Sequence, residues 1–591
     1  MKIKHFFGLA VIAAMTASCS SNEDLGTADP GTGTNETGVG YATFTINLPS
    51  VSGSTTSGAR GTRADGDLEF NAGDAKEYNV NDVTLLIFQK ETGATSEDEY
   101  KFVEQADLGT MAPWIKDNGT NGVTTAATIT ATLNSIDLTS DYYALAILNN
   151  KDDEGNNKVT LPTTGDTYGT WNVAGKAAGK FTDTSKGFYM ANAPVFSSGE
   201  PTSLVKVEGV YTTKQKAESS KATSIHVERG LAKVTLASSA FPGTLTPTGA
   251  KYNKDKVDIT AWNLDVTNKS TFPIHKTAGL KNTNFSTIWI PSTPAASTGA
   301  SVARFVDAAN PAFKRVYWGV DPNYSDDLTT VPACKGAFNI LDANATINGA
   351  ADEPQYCLEN TFDINHMKQG QTTRVVFKAT YTPDGFTKGD TFYKIGNSTD
   401  LWNETNLEAQ IKTKAQEVLV GKDPTKDPTK VTLDLKAAGN NIEETAGTKI
   451  LEEVNVLYDG ANVSPDEIKA INEKLGLKAA AGTDPIVGIA TYKSGESYYI
   501  ARIKHFGALT PWAEGQDTYG TNNDENNTKY LGRYGVLRNN WYELTVGSVS
   551  GLGTPDVPTI KPDVPDDENY RYISVSVKIL DWAKRSSTVD L

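Results

Sequence analysis

The chain has 591 residues, 38% hydrophobic and 21% charged, with a formal net charge of -16. That length allows several domains with full cores, and the balance fits a soluble extracellular chain rather than a membrane-embedded one. The acidic surplus argues against nucleic acid and anionic lipid surfaces as partners, because both select clustered Lys and Arg.

Lys2 and Lys4 precede an apolar run from Phe6 to Ala14, the pattern of a secretion signal. The run is too short to span a bilayer. It ends in TASC, small residues before a cysteine, so residues 1–18 read as a signal peptide and Cys19 as a lipidated first residue. The stretch 25–40, rich in Gly and Thr, reads as a disordered tether.

In YATFTINLP, Ala42, Phe44, Ile46 and Leu48 alternate with Tyr41, Thr43, Thr45 and Asn47, and Pro49 stops the run. A period of two marks a strand with one buried face. SGARGTRADGD comes next, with Arg60 and Arg63 among small residues, a composition open to nicking. A cut between Arg63 and Ala64, with Arg60 as the alternative site, would free this first strand. Residues 19–63 then read as a propeptide, and the strand's vacated groove can take a strand from another subunit.

VTLLIF (83–88) is apolar on both faces and predicts a buried strand. ATITATLNSI and DYYALAILNN predict two more. Residues 151–222 are polar and Gly-rich, with short strand candidates near Phe188–Met190 and Val205–Val210. No helix of ordinary length is expected in this half, and 64–223 reads as an antiparallel sandwich. IHVERGLAKVTLAS, from Ile225, is expected to open a second domain (224–553), with a bulge at Gly230 where the alternation changes parity. In TRVVFKATYTPDG, Val375, Phe377, Ala379 and Tyr381 line one face, and Pro383-Asp384-Gly385 predicts a turn. SYYIARIKHF and NWYELTVGSV predict further strands. Two helices interrupt this half. SPDEIKAINEKLG offers Ser464 as cap, Pro465 at the first position, Glu467 for a capping box and Gly476 as a stop. TNLEAQIKTKAQEVLVG spaces Leu407, Ile411, Val418 and Leu419 helically. Both read as insertions packed on a sandwich.

Pro555, Pro558, Pro562 and Pro565 predict an extended spacer, and 554–591 reads as spacer plus terminal strand. In YISVSVKILDW, Ile573, Val575, Val577 and Ile579 share a parity, whereas Leu580 and Trp582 take the other, so a bulge or a second short strand is expected after Ile579. A lone strand needs a sheet edge and an apolar surface, so this segment, Tyr572 to Leu591, reads as a donor to another molecule.

Chemistry is sparse. The histidines, His5, His226, His275, His366 and His505, are far apart in sequence, and the motifs HExxH, GxSxG and GxxxxGK[ST] are missing. His505 beside Tyr498 and Tyr499 reads as a core histidine. PDVPDDEN (562–569) reads as a solvated linker, with a loosely held calcium ion as the alternative. Cys334 and Cys357 either pair, contributing ~3 kcal/mol through loop closure, or stay as buried thiols. No catalytic residue, cofactor or metal site is expected.

The lipobox-like TASC, the Arg-Ala site after a first strand, VERGLAKV, SYYIARIKHF, RNNWYELTVGSVSGLG and the terminal VSVKILDW…STVDL together resemble the Bacteroidetes fimbrillins, or type V pilins, most of all the shaft subunit of Mfa-type fimbriae. SSNED after Cys19 resembles the surface-export signal of Bacteroidetes lipoproteins. The resemblance implies an all-β chain of two transthyretin-like sandwich domains in tandem, with a C-terminal donor-strand appendage. It also implies export as an outer-membrane lipoprotein, maturation by an arginine- or lysine-specific protease, and a place in the cell-surface fimbria, serving adhesion and biofilm. The implied partners are further copies of the chain, anchor and tip subunits, and host or bacterial surface ligands. Membrane contact would come only through the precursor's lipid. A tip adhesin is the alternative within the family. A surface glycan-binding lipoprotein, presenting Trp262, Trp318, Trp402 and Trp512, is the alternative outside it.

Overall fold

The computed structural model describes residues 34–35, 37–48, 70–71, 77–109, 126–137, 140–174, 177–178, 180–195, 201–277, 316–325, 327–363, 365–481, 484–505, 531–566 and 573–582. Strands dominate them, and no helix among them is long and apolar enough to cross a membrane.

The first sheet has the order β4-β3-β6-β8-β10-β1-β5, with β9 attached to β6. Its strands are β1 (Gly40–Asn47), β3 (Val83–Lys90), β4 (Lys101–Gln105), β5 (Ala126–Leu133), β6 (Asp141–Leu148), β8 (Met190–Asn192), β9 (Val205–Lys206) and β10 (Thr223–Arg229). The double-sided run in β3 explains its central place. Leu85 and Ile87 enter one cluster with Ala144, Ala146 and Ile225, while Leu86 and Phe88 enter another on the opposite face. That second cluster takes in Leu231, Leu358 and Trp541, so it joins the first sheet to strands of the chain's second half.

The changeover lies at Gly230. The predicted bulge is a crossing between sheets: β10 stays in the first sheet, and β11 (Leu231–Leu236) pairs with other strands. The stacked rings of Phe181 and Tyr189, 3.9 Å apart, lie against this point. A Cβ on Gly230 would come within 2.7 Å of Phe181, so only glycine fits without a shift. The second set of strands therefore begins at β11, later than the expected start at residue 224.

β11 opens a sandwich. One sheet has the order β16-β11-β26-β27-β2, from β2 (Phe70–Asn71), β16 (Gln355–Leu358), β26 (Asn540–Val549) and β27 (Ile573–Trp582) with β11. The other is β12-β17-β25, from β12 (Lys256–Asp265), β17 (Arg374–Thr382) and β25 (Glu496–Arg502). Ala232, Val234, Tyr542 and Leu544 of the first meet Val257, Trp262, Phe377, Tyr381 and Tyr499 of the second in one core. Val375, Phe377, Ala379 and Tyr381 are fully buried, as their alternation predicts. Two ribbons flank it: β7 (Ala177–Ala178) with β14 (Ser270–Thr271), and β13 (Thr267–Asn268) with β15 (Phe338–Asn339).

β17 and β25 are antiparallel neighbours, Thr380 facing Glu496, yet the chain between them forms a module with its own core. It contains β18 (Phe392–Ile395), β19 (Leu401–Trp402), β20 (Val431–Leu433), β21 (Gly447–Lys449), β22 (Val456–Tyr458), β23 (Ala461–Asn462) and β24 (Ile489–Tyr492). The helices Glu404–Lys422 and Pro465–Lys474 pack on them through Leu407, Ile411, Leu419, Ile468 and Ile471. Ser464 and Glu467 close the predicted capping box. In the first half, the helices Tyr168–Ala174 and Lys214–Glu218 are short, as expected.

Candidate strand-exchange site

β1 lies inside its sheet. It runs antiparallel to β5 along its whole length, from Gly40 opposite Leu133 to Asn47 opposite Ala126. On the other side it runs parallel to β10, from Phe44 opposite Thr223 to Asn47 opposite His226. Tyr41 and Tyr211 exchange backbone hydrogen bonds of 2.8 Å in both directions. Ala42, Phe44, Ile46 and Leu48 are at most 2% exposed and sit in the cluster with Leu85, Ile87, Leu133, Ala146 and Val227. The other face carries threonine pairs, Thr43 with Thr130 at 2.9 Å and Thr45 with Thr128 at 3.1 Å. Alternation alone located this face, and all four predicted side chains share it.

Cys19, Arg60, Arg63 and Ala64 lie outside the described residues. Just downstream, Glu77 is fully buried. Its carboxylate accepts from Lys233 Nζ at 2.6 Å and from the Tyr356 hydroxyl at 2.7 Å. Its carbonyl accepts from Arg229 Nε and Nη2 at 3.0 and 2.9 Å. Lys233 Nζ also lies 3.9 Å from the centre of the Trp541 ring. A buried carboxylate needs such partners, because its desolvation is costly. Glu77 is thereby clamped between β10, β11 and β16. Sequence reasoning missed this clamp, since its members are spread over the whole chain.

The terminal strand pairs within its own chain. β27 runs antiparallel to β26, from Ile573 opposite Val549 to Asp581 opposite Asn540. Its other neighbour is β2, parallel, at Asp581 and Trp582 only. Ile573, Val575, Val577, Ile579, Leu580 and Trp582 thus lie on one continuous strand. The irregularity expected after Ile579 is instead on β26, between Val546 and Ser548, where Gly547 is the extra residue and has no side chain to accommodate.

The spacer departs from expectation. It is docked, because its apolar residues find cover. Val557 is buried with Ala261, Val376 and Ile500, and Ile560 with Val266, Cys334 and Phe338. Asp566 is 1% exposed and accepts from the Thr372 hydroxyl at 2.9 Å, so this part of PDVPDDEN is not a solvated linker.

Other candidates resolve into core. Cys334 and Cys357 are free, buried thiols in different clusters, and burial pushes them up to about 11 and about 12. His505 Nδ1 is 2.7 Å from the Tyr542 hydroxyl, in a buried pair. Trp262 and Trp318 are buried and present no platform, Trp402 is half-buried, and Trp512 lies outside the described residues.

Residues 490–588 match a family model described as "Major fimbrial subunit protein type IV, Fimbrillin, C-terminal". The C-terminal part of the chain is thus similar to the fimbrillins. That likeness supports a place for the chain as a subunit of a cell-surface fimbria, among other fimbrial subunits. The match takes in β25, β26, the docked spacer and most of the chain's end, so it includes the region that carries β27. Two solved structures from Parabacteroides distasonis are similar. One is described as a "putative cell adhesion protein", with 10% identity, a TM-score of 0.37, and coverage of 93% of this chain and 98% of that one. The other is described as a fimbrial assembly protein, with 13% identity, a TM-score of 0.25, and coverage of 61% and 93%. At these scores neither defines a shared fold. No curated protein matches the chain.

Proposed function

We propose that this chain is a fimbrillin, a shaft pilin of the Mfa type. It is exported as a lipoprotein on Cys19, cut after Arg63, and polymerised when the segment Tyr572–Leu591 of one subunit fills the place of β1 in the next. The observation that carries this reading is the setting of β1. It lies between two strands, its apolar face is fully buried, and a potential cut site separates it from the rest of the chain.

While the chain is intact, β1 is held at high effective concentration. Cutting makes its return bimolecular. The Glu77 clamp supports the reading, since it holds the segment downstream of Ala64 to the body when β1 leaves. The docked spacer fixes where the donor emerges. The 25 residues after Asp566, Asp567 to Leu591, span up to ~80 Å when extended, longer than one sheet. Donation exchanges the pairing with β26 for a groove with a strand on either side, so more backbone groups are satisfied. The contact is head-to-tail and generates an open filament. Anchor and tip subunits would join by the same contact, an arginine-specific protease would make the cut, and surface ligands would be met by the finished fimbria.

The test compares fimbriae sheared from cells making the natural chain or a variant with both Arg60→Ala and Arg63→Ala. The expected result is an N-terminus at Ala64 and a ladder of multimers for the natural chain, and only lipidated monomers for the variant. Multimers of uncut variant would overturn the reading.

A further inference from the structure

We propose that the inserted module binds a hard divalent cation, calcium in the extracellular medium, between Glu404, Glu408 and Glu443. Carboxylate oxygens of the three lie within 4.8 Å of one another. Two of the glutamates stand one turn apart at the start of the Glu404–Lys422 helix, and the third comes from the loop before β21. Like charges at that helical spacing repel. Crowding three carboxylates needs compensating positive charge.

The compensation in the chain itself is incomplete. Lys436 Nζ lies 3.1 Å from Glu404, 3.4 Å from Glu443 Oε2 and 3.9 Å from Glu444. One ammonium is thus shared by three carboxylates, those of Glu404, Glu443 and Glu444. The second observation is Glu443 itself. Its residue is 4% exposed, and its Oε1 is buried without a hydrogen-bond partner. A buried carboxylate oxygen without a donor carries a cost that a cation in the cluster would remove.

The donor set chooses the ion. All the ligands are oxygens, which suits Ca²⁺, Mg²⁺ or Mn²⁺ rather than zinc or copper. Long glutamate side chains from two elements give adjustable geometry, which calcium tolerates and magnesium does not. Glu404 and Glu408 are exposed, so the ion has a path in and room for waters. Sequence spacing hid the site, because Glu443 is remote from the helix in the chain. The site is independent of the strand-exchange reading, and its failure would leave that reading intact.

The test is calorimetric titration of the full-length protein, stripped with chelator, with CaCl₂ and separately with MgCl₂. The expected result is saturable calcium binding with Kd of ~10⁻⁴–10⁻³ M, the range of extracellular modules, and weaker binding of magnesium. Glu443→Gln and the exposed Glu408→Gln should each weaken calcium at least ~10-fold, about 1.4 kcal/mol. Lys436→Gln should tighten it, since the competing ammonium is gone. Glu408→Gln removes a surface charge, so it keeps the fold and guards against a misfolded Glu443 variant. No saturable calcium heat, or the same isotherm in the natural chain and both glutamate variants, would overturn the proposal.

Discussion

β1 and β27 are the described strands nearest the two ends of the chain, and their surroundings differ. β1 has a neighbour along each side and puts four side chains into a closed core. β27 has one long neighbour, β26, and beyond it only the short contact with β2. A strand enclosed on both sides is bound by two ladders and a core. A strand next to an edge can peel from one side. The same chain thus holds one strand enclosed on both sides and one with a single long neighbour, which is the asymmetry the proposed exchange would use. Changes to either strand test that asymmetry.

The largest effect is expected from deleting one strand or the other. Ending the chain at Asp566 removes β27 and none of the described core residues, so the monomer should fold and polymers should be absent. Starting the mature chain at Ala64, without ever having made β1, removes four buried side chains worth ~1.5–3 kcal/mol each. That chain should aggregate or fail to fold. Gel filtration with circular dichroism reads both. Equal folding of the two truncations would break the comparison, because β1 would then be no more integral than β27.

A single substitution sharpens it. Phe44 is fully buried on β1. Phe44→Ala should cost ~3–5 kcal/mol in the uncut precursor, read by urea unfolding. In assembled, cut fimbriae the same substitution should have no effect, since the strand that carries it has gone. An equal loss in both would mean that β1 stays in the mature subunit.

The contrast also shows what the sequence could reveal. The four inward residues of β1, the four of β17 and the capping box at Ser464 are local patterns with periods of two or three to four, and each was legible. Three other features were not. The spacer's prolines suggested an extended, free segment, but Val557 and Ile560 between them are buried by residues far away in sequence. The pairing of β17 with β25 is local in space, but an entire module separates them in the chain. Gly230 looked like a bulge because a parity change has the same signature whether the chain kinks within a sheet or crosses to another.

A smaller effect is expected at the clamp. Glu77→Gln keeps a hydrogen-bonding side chain of the same shape but removes the negative charge that faces the buried Lys233 ammonium. The expected loss is ~1–3 kcal/mol. Because Glu77 lies beyond the cut, the loss should appear equally in precursor and mature subunit, unlike that of Phe44→Ala. An effect confined to the precursor would place Glu77 with the departing segment.

The smallest effect should come from a site remote from both strands. Glu467 caps the Pro465–Lys474 helix and pairs with Lys426. Partial burial opposes its charge, but Lys426 and the Ser464 amide and hydroxyl outweigh it and hold the carboxyl at about 2, below the ordinary 4.5. A carboxyl depressed on folding stabilises above its unfolded pKa, and that stabilisation is lost as pH falls from 4.5 towards 2. Glu467→Ala should therefore cost ~1 kcal/mol near neutral pH, with the difference from the natural chain fading across that acid window. Thermal melts of precursor and cut subunit at several pH values measure it. The loss should be the same in both forms, because the inserted module has its own core, which contains neither of the strands proposed to exchange. A loss that grew on cutting would couple the module to the groove of β1, and would end the separation between the exchanging strands and the rest of the fold.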